Sequence, residues 1–245
     1  TTVNLNYGNH DRSHLIFNGA ATPQAMGTRV PATIATLTIG KAAQANVVNL
    51  NQAVAISDSL HIAVGNLTAG ANLTINGNLR RESGSLFTPG TFTMTFSGVR
   101  EDTITNLDAL PLVVNNLTLN KTDGTGNVLL WDNTVLQIGG TLDFTATATN
   151  KSLINARSRT GAYVVSTSGT VNNSSNTRGW VNGELRKNVA INTSTTTWEV
   201  GDFERYSPFR LAFNTNGGTA GYVGMKVEDG RHPYLLVEEF HSIYP

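Results

Sequence analysis

The stretch Leu73-Thr74-Ile75-Asn76-Gly77 alternates apolar and polar residues and ends in two turn formers. The same pattern returns as Leu37-Thr38-Ile39-Gly40 and as Leu117-Thr118-Leu119-Asn120. Alternate side chains of a β-strand point to opposite faces, so each copy predicts a short strand with one buried face, followed by a turn. Repetition of one strand-and-turn unit is typical of a stacked β-architecture.

A longer self-similarity also indicates repetition. Residues 35–62 align with residues 115–144, and apolar positions fall on apolar positions throughout, for example Ile39 on Leu119 and Leu60 on Leu142. The offset of about 80 residues is too long for one solenoid coil, so we expect several coils of roughly 20 to 25 residues each. Six or seven such coils fit between Pro31 and Val171. The predicted fold is an all-β β-solenoid, similar to a parallel β-helix, with inward ladders of apolar side chains.

Residue types change along the chain, and we therefore predict three parts. We expect residues 1–30 to form an N-terminal cap or first coil and residues 31–175 to form the solenoid repeats. The polar run at residues 172–176 is followed by closely spaced aromatic residues. We therefore expect residues 176–245 to form a small C-terminal antiparallel β domain. The alternative fold is a pair of tandem β-sandwiches.

Composition limits the classes of partner. Lys plus Arg and Asp plus Glu both number 17, and only 14% of the residues are charged. A nucleic-acid-binding protein carries a basic surface, which this balance disfavours, and no apolar window is long enough for a membrane span.

The absence of cysteine excludes disulfides, thiolate zinc sites and cysteine nucleophiles. The chain begins at Thr1 without an initiator methionine or a signal peptide, so we expect a processed piece or fragment of a longer protein.

Three phrases in the second half of the chain follow one another in a characteristic order. They are Trp180-Val181-Asn182-Gly183-Glu184-Leu185-Arg186, Trp198-Glu199-Val200-Gly201 and Tyr206-Ser207-Pro208-Phe209. Together with the earlier strand Leu15-Ile16-Phe17-Asn18-Gly19-Ala20, they resemble the large surface and secreted repeat proteins of Bacteroidota. The resemblance covers residues 15–215. It implies an extracellular or cell-surface, adhesin-like protein exported by the type IX secretion system, whose machinery would be a partner.

The aromatic residues of the C-terminal part are candidate ligand-binding residues. Trp180, Trp198 and Tyr206 offer ring faces of the kind on which sugars stack. The competing interpretation, which we favour, is that Trp180, Trp198, Phe203 and Phe209 fill the core of a small β domain.

The sequence offers little support for catalysis. Glycoside hydrolysis needs two cooperating carboxylates, and in the solenoid region only Glu101 and Asp102 are close in sequence. Neighbouring residues of a strand point to opposite faces, so this pair is not expected to cooperate. No acidic ladder repeats. We therefore expect no enzyme and no cofactor.

Two segments raise the question of a metal. His10-Asp11-Arg12-Ser13-His14 places two imidazoles and a carboxylate within five residues, but its flanks favour a polar loop entering a strand. Asp123-Gly124-Thr125-Gly126-Asn127 offers oxygens for calcium, but it lacks the several carboxylates of a calcium-binding loop, so we favour a hairpin turn. We therefore expect no metal site, with calcium binding as the alternative.

The resemblance also draws attention to Asp58-Ser59-Leu60 and Asp102-Thr103-Ile104. Both fit the Asp-Ser/Thr-apolar pattern of Bacteroidota O-glycosylation, which implies Ser59 and Thr103 as candidate modification sites.

The expected function is a non-catalytic structural or adhesive module of a larger bacterial surface or secreted protein, with a glycan or a surface protein as ligand. One alternative is a β-helix protein that binds or cleaves carbohydrate, which requires exposed carboxylates or aromatics clustered on one flat face. Another is a passive cargo or scaffold of an outer-membrane secretion or motility machine.

Overall fold

A computed structural model describes residues 13–19, 23–27, 30–122, 126–146, 151–189, 195–212 and 221–228. The described residues form strands and no helix. The first nine strands are β1 (His14–Phe17), β2 (Gln24–Ala25), β3 (Thr33–Gly40), β4 (Val47–Leu50), β5 (Val54–Val64), β6 (Asn66–Ala69), β7 (Leu73–Ile75), β8 (Asn78–Arg81) and β9 (Leu86–Pro89). The next nine are β10 (Thr93–Gly98), β11 (Asp102–Asn106), β12 (Leu112–Val114), β13 (Asn116–Lys121), β14 (Val128–Leu130), β15 (Val135–Ile138), β16 (Leu142–Phe144), β17 (Ser152–Asn155) and β18 (Tyr163–Ser166). The last seven are β19 (Val171–Asn172), β20 (Gly179–Asn182), β21 (Leu185–Val189), β22 (Thr196–Trp198), β23 (Val200–Gly201), β24 (Phe209–Leu211) and β25 (Gly221–Met225).

These strands build a β-solenoid of about seven turns, which confirms the predicted fold class. Each turn contributes a strand to each of three faces. Face 1 contains the first part of β5, then β7, β10, β13, β16 and β19. Face 2 contains β1, β3, the second part of β5, β8, β11, β14, β17, β20 and β23. Face 3 is formed by β2, β4, β6 and β9, and then by β12, β15, β18 and β21.

Strand pairing between successive turns is parallel, which rules out tandem β-sandwiches for the described residues, because sandwiches are built from antiparallel sheets. The long strands β3 and β5 bend around the corner between faces 1 and 2, so these two faces form one 14-stranded sheet.

The inward positions of each face carry apolar side chains that stack from turn to turn. On face 1 the ladder runs through Ile56, Ile75, Phe96, Leu119 and Phe144, which are all fully buried. On face 2 the ladder begins with Leu15, Leu37, Leu60, Leu79 and Ile104. Thr and Asn occupy many outward positions, as the alternation predicts. The core is therefore one continuous apolar column.

The parallel stack continues beyond residue 175, where the sequence suggested a boundary. Strand β20 pairs with β17 and β21 with β18, and both pairs are parallel. Among the described strands, antiparallel pairing is confined to β21 with β25 and β22 with β24. Strands β20, β21 and β23 thus continue the solenoid, and β22, β24 and β25 add antiparallel pairs to this end of the described chain.

Residues that correspond in the alignment of 35–62 with 115–144 lie on different faces of the solenoid. Ile39 is on face 2, whereas Leu119, its partner in the alignment, is on face 1. Leu60 and Leu142 differ in the same way. The self-similarity therefore reflects a strand-and-turn pattern shared by all three faces, and it does not mark equivalent positions within the turns.

Buried cations hold the corners of the solenoid together. Lys121 and Asp102 form an ion pair in which neither side chain is exposed, and Nζ of Lys121 also donates to the carbonyls of Ser97 and Arg100 at 2.9 and 3.0 Å. Burial raises the pKa of Asp102 to about 6, although the ammonium of Lys121 opposes this shift. This pair ties one turn to the loop of the preceding turn.

Two similar contacts occur further along the stack. Arg81 donates to the carbonyls of Leu110 and Pro111 and pairs with Asp108, and Lys187 pairs with Glu199 at 2.6 Å. Each cation thus fixes a corner where the chain leaves the regular strand pattern.

We expect Lys121→Met to lower the free energy of unfolding by about 3–5 kcal/mol at pH 7.5, because it leaves the Asp102 carboxylate buried without a counter-ion. Burial raises the pKa of Asp102 although Lys121 opposes this shift, so removal of the ammonium should raise the pKa further. The carboxyl group of the folded variant then takes up its proton at a higher pH than in the unmodified chain, so the loss should shrink at pH 5. The measurement is urea unfolding of this variant beside Lys121→Met/Asp102→Asn, which carries neither charge. A difference between the two variants that is equal at both pH values would contradict this account.

Gly77 provides a second test of the stacking. A Cβ at this position would lie 1.8 Å from the carbonyl oxygen of Asp58 in the turn below, whereas a Cβ at Gly40 would meet no atom within 4 Å. We expect Gly77→Ala to cost about 1–3 kcal/mol, because the two turns must separate. Gly40→Ala should change the free energy of unfolding by about 0.5 kcal/mol or less. Equal thermal unfolding midpoints for the two variants would show that the turns do not approach this closely.

Candidate functional site

The structure places two of the three predicted ligand-binding aromatics in the interior. Trp180 and Trp198 are fully buried, and their indole N–H groups donate to the carbonyls of Asp202 at 2.8 Å and Val223 at 2.9 Å. Tyr206 is half-buried, and its ring centroid lies 6.1 Å from that of Trp180. The two tryptophans have no free surface for a ligand, and Tyr206 packs against Trp180. Phe203 and Phe209, which were expected in the core with them, are instead 53% and 42% exposed.

The two candidate O-glycosylation sites lie on the outer side of face 2. Ser59 and Thr103 are both half-buried, and the backbone N–H of Thr103 donates to the side chain of Asn78 at 2.9 Å. The acidic residues that precede them differ, because Asp58 is exposed, whereas Asp102 is buried in the ion pair with Lys121. In the folded chain only the Ser59 motif presents its carboxylate at the surface.

The carboxylates do not gather into a metal or catalytic cluster within the described part of the chain. No group of three or more His, Asp or Glu side chains there is arranged to hold a metal ion. Glu101 is exposed and Asp102 is buried, so this pair points in opposite directions as expected. Residues 10–12 of the histidine-rich segment and residues 123–125 of the candidate calcium loop lie outside the described residues.

A different group of side chains forms a groove at the corner between faces 2 and 3. The loop at residues 156–162, between β17 and β18, is fixed to the turn below it. The backbone N–H of Asn133 donates to the carbonyl of Thr160 at 2.7 Å, and the N–H of Thr160 donates to Oδ1 of Asp132 at 3.1 Å. The N–H groups of Ala156 and Arg157 donate to the carbonyl of Asn182 in the turn above. Three successive turns therefore position this loop.

Two arginines in this region stack on aromatic rings. The guanidinium carbon of Arg159 lies 4.2 Å from the ring centroid of Trp131, which is 42% exposed. The guanidinium carbon of Arg186 lies 3.6 Å from the centroid of Tyr163. Arg186 is also held by Glu184 through two contacts of 2.7 and 3.3 Å, and this carboxylate raises the pKa of Arg186. Each guanidinium thus lies over an aromatic ring at a distance that allows a cation–π interaction.

The groove has a cavity volume of about 240 Å³ and a surplus of positive charge. Its ionisable lining residues are Arg157, Arg159, Arg186, Lys226, Glu184 and Glu228. These four cations and two carboxylates leave a formal surplus of two positive charges, although the whole chain is neutral. Glu228 pairs with Lys226, which lowers the pKa of this carboxyl group. We call this feature, together with Trp131 at its rim, the Arg159 groove.

One weak signal for the Arg159 groove is present in the sequence. Arg157-Ser158-Arg159 places two cations within three residues of a sparsely charged chain. Trp131, Tyr163 and Arg186 come from separate turns, so their proximity depends on the lengths of the intervening loops.

Comparison with protein-family models, curated proteins and solved structures finds no match to this chain. In the described part of the chain no helix is long and apolar enough to cross a membrane. The Arg159 groove is therefore interpreted from its own geometry.

Two tryptophan variants distinguish the core from the groove. Trp180→Ala removes a fully buried indole and should lower the free energy of unfolding by about 3–5 kcal/mol. Trp131→Ala removes a partly exposed ring and its contact with Arg159, which should cost about 1 kcal/mol or less. Denaturant unfolding followed by circular dichroism checks both values. A large loss for Trp131→Ala would mean that this ring is part of the structural core.

Proposed function

We propose that this chain is a non-catalytic adhesive module of a larger bacterial surface or secreted protein, in which the solenoid is a rigid stalk and the Arg159 groove contacts the ligand. The observation that carries the proposal is the pair of arginine–aromatic stacks, which three successive turns assemble into one positively charged groove. Exposed aromatic and arginine side chains are the residue types that contribute most to recognition surfaces.

The solenoid supports the role of a stalk. The strands of one turn pair with those of the next along the stack, and the inward ladders form one apolar column. A structure of this kind resists bending, because each turn is bonded to both of its neighbours. A site on such a scaffold keeps its geometry when the ligand pulls on it.

The electrostatics of the groove support binding over glycoside cleavage. Hydrolysis needs one carboxylic acid that is still protonated near neutral pH, which requires a raised pKa. The pKa of Glu228 is instead lowered by Lys226, and Glu184 is engaged by Arg186. Both carboxylates of the groove are better suited to accept hydrogen bonds from ligand hydroxyls than to donate a proton.

The proposed extracellular location and type IX export rest on the resemblance of the three C-terminal phrases to Bacteroidota surface proteins. The solenoid is compatible with this setting, since stacking buries a large core without disulfides. A glycan or a surface protein would then be the ligand.

A binding screen tests the proposal. The purified chain is applied to a glycan array and to host-matrix proteins, with and without calcium, beside Trp131→Ala and Arg159→Ala. We expect binding that falls at least about tenfold in both variants, a loss of about 1.4 kcal/mol or more. Tyr222→Ala removes an exposed aromatic ring and Arg178→Ala an exposed arginine, and neither residue lines the groove. Both controls should bind as the unmodified chain does.

Failure to bind any glycan or matrix protein would overturn the adhesive role and favour a passive stalk or cargo. Binding that all four variants retain would place the ligand site elsewhere on the surface. Unfolding midpoints of each variant show whether a loss of binding reflects a loss of folding.

A further inference from the structure

We infer that the ligand of the Arg159 groove is an acidic saccharide, whose carboxylate binds the guanidinium of Arg159 while the sugar ring contacts Trp131 and Tyr163. This inference rests on the proposed adhesive function and adds the chemical class of the ligand.

The first observation is an unsatisfied donor on Arg159. Its buried Nε has no hydrogen-bond partner among the described residues, and its guanidinium carbon lies over the ring of Trp131. Arg81 and Arg186, by contrast, each pair with a carboxylate. A buried donor without an acceptor is destabilising, so a ligand that supplies acceptors at this guanidinium binds more favourably.

The second observation is the position of the guanidinium, whose carbon lies over the ring of Trp131 at 4.2 Å from the centroid. A guanidinium that packs flat on an aromatic ring keeps its N–H bonds directed in its own plane, where they can reach a ligand. A carboxylate presents two oxygens in a matching plane and accepts two parallel hydrogen bonds. Because Trp131 and the fixed loop already restrict the side chain of Arg159, less rotational freedom is lost when such an anion binds.

The charges and volume of the groove favour a saccharide over a polyphosphate. Glu184 and Glu228 would repel a densely charged nucleic acid, but their oxygens accept hydrogen bonds from sugar hydroxyls. Nucleic acid also needs a continuous basic track, which a neutral chain with 14% charged residues does not favour. The volume of about 240 Å³ lies below the roughly 300–1,000 Å³ of pockets for drug-sized ligands. It therefore suits one acidic residue of a longer glycan.

The test compares acidic oligosaccharides with neutral counterparts of the same length. The probes are an oligogalacturonate and an alginate oligosaccharide, each beside its carboxyl-reduced form, titrated calorimetrically in calcium-free buffer. We expect at least one acidic form to bind about tenfold or more tightly than its reduced form. Arg159→Gln should remove this preference and lower the affinity for the acidic form about tenfold. Arg178→Gln, which removes an equal charge outside the groove, should leave both affinities unchanged.

The outcomes separate this inference from the proposed function. Equal affinity for acidic and reduced forms, or an unchanged preference in Arg159→Gln, overturns the carboxylate assignment and leaves an adhesive role intact. Failure of both uronate probes, or binding that depends on a sulfate ester, also overturns it. If the array and matrix screen shows no ligand either, the adhesive function fails as well. An unfolding midpoint of Arg159→Gln close to that of the unmodified chain shows that the substitution acts on binding.

Discussion

A parallel strand that stacks in register on its predecessor places its inward side chain directly over the inward side chain of the turn below. The ladder from Ile56 through Ile75 and Phe96 to Leu119 follows that constraint. A shift of one residue along a whole strand would expose its ladder, and the register shifts between β3 and β5 are accordingly local irregularities at two points of that pairing. The inward side chains of the faces are therefore uniformly apolar, and the sequence and loop length vary mainly at the corners. Buried cations such as Lys121 and Arg81 stabilise those corners by binding the carbonyls of neighbouring loops.

Strand alternation was sufficient to predict the fold class. Copies such as Leu73-Thr74-Ile75 and Leu117-Thr118-Leu119 do lie on the same face, and both pair with β10. The alignment of residues 35–62 with 115–144 did not identify equivalent positions, because a strand of face 1 and a strand of face 2 obey the same pattern of inward apolar residues. The position of a strand within its turn depends on loop lengths, which alternation does not encode.

The suggested boundary after residue 175 followed a change in composition, but parallel pairing continues through β20 and β21.

The candidate site was less predictable than the fold. Trp180 and Trp198 were predicted as ligand-binding candidates because they are aromatic. The end of a solenoid must bury large side chains, however, and both indoles are fully buried there. Trp131 and Arg159 are brought together by hydrogen bonds between the turn at residues 131–134 and the loop at residues 156–162. Neither residue alone indicates a binding site. The distinguishing feature is that Nε of Arg159 has no hydrogen-bond partner among the described residues and that this arginine lies beside an exposed indole ring. Only the three-dimensional structure shows this.

The position of the Arg159 groove follows from the same constraint that fixes the faces. The spacing between paired residues varies along the stack, from 19 residues between Leu60 and Leu79 to 28 between Leu136 and Val164. Because the strands stay short, the added residues enter corner loops, and residues 156–162 form one of these. The half-buried and exposed residues 157–161 of this loop can change without disturbing an inward ladder, since only Ala156 and Ala162 at its ends belong to the apolar core. A solenoid of this kind therefore separates stability, which resides in the faces, from recognition, which resides where a long corner loop meets the turns above and below it.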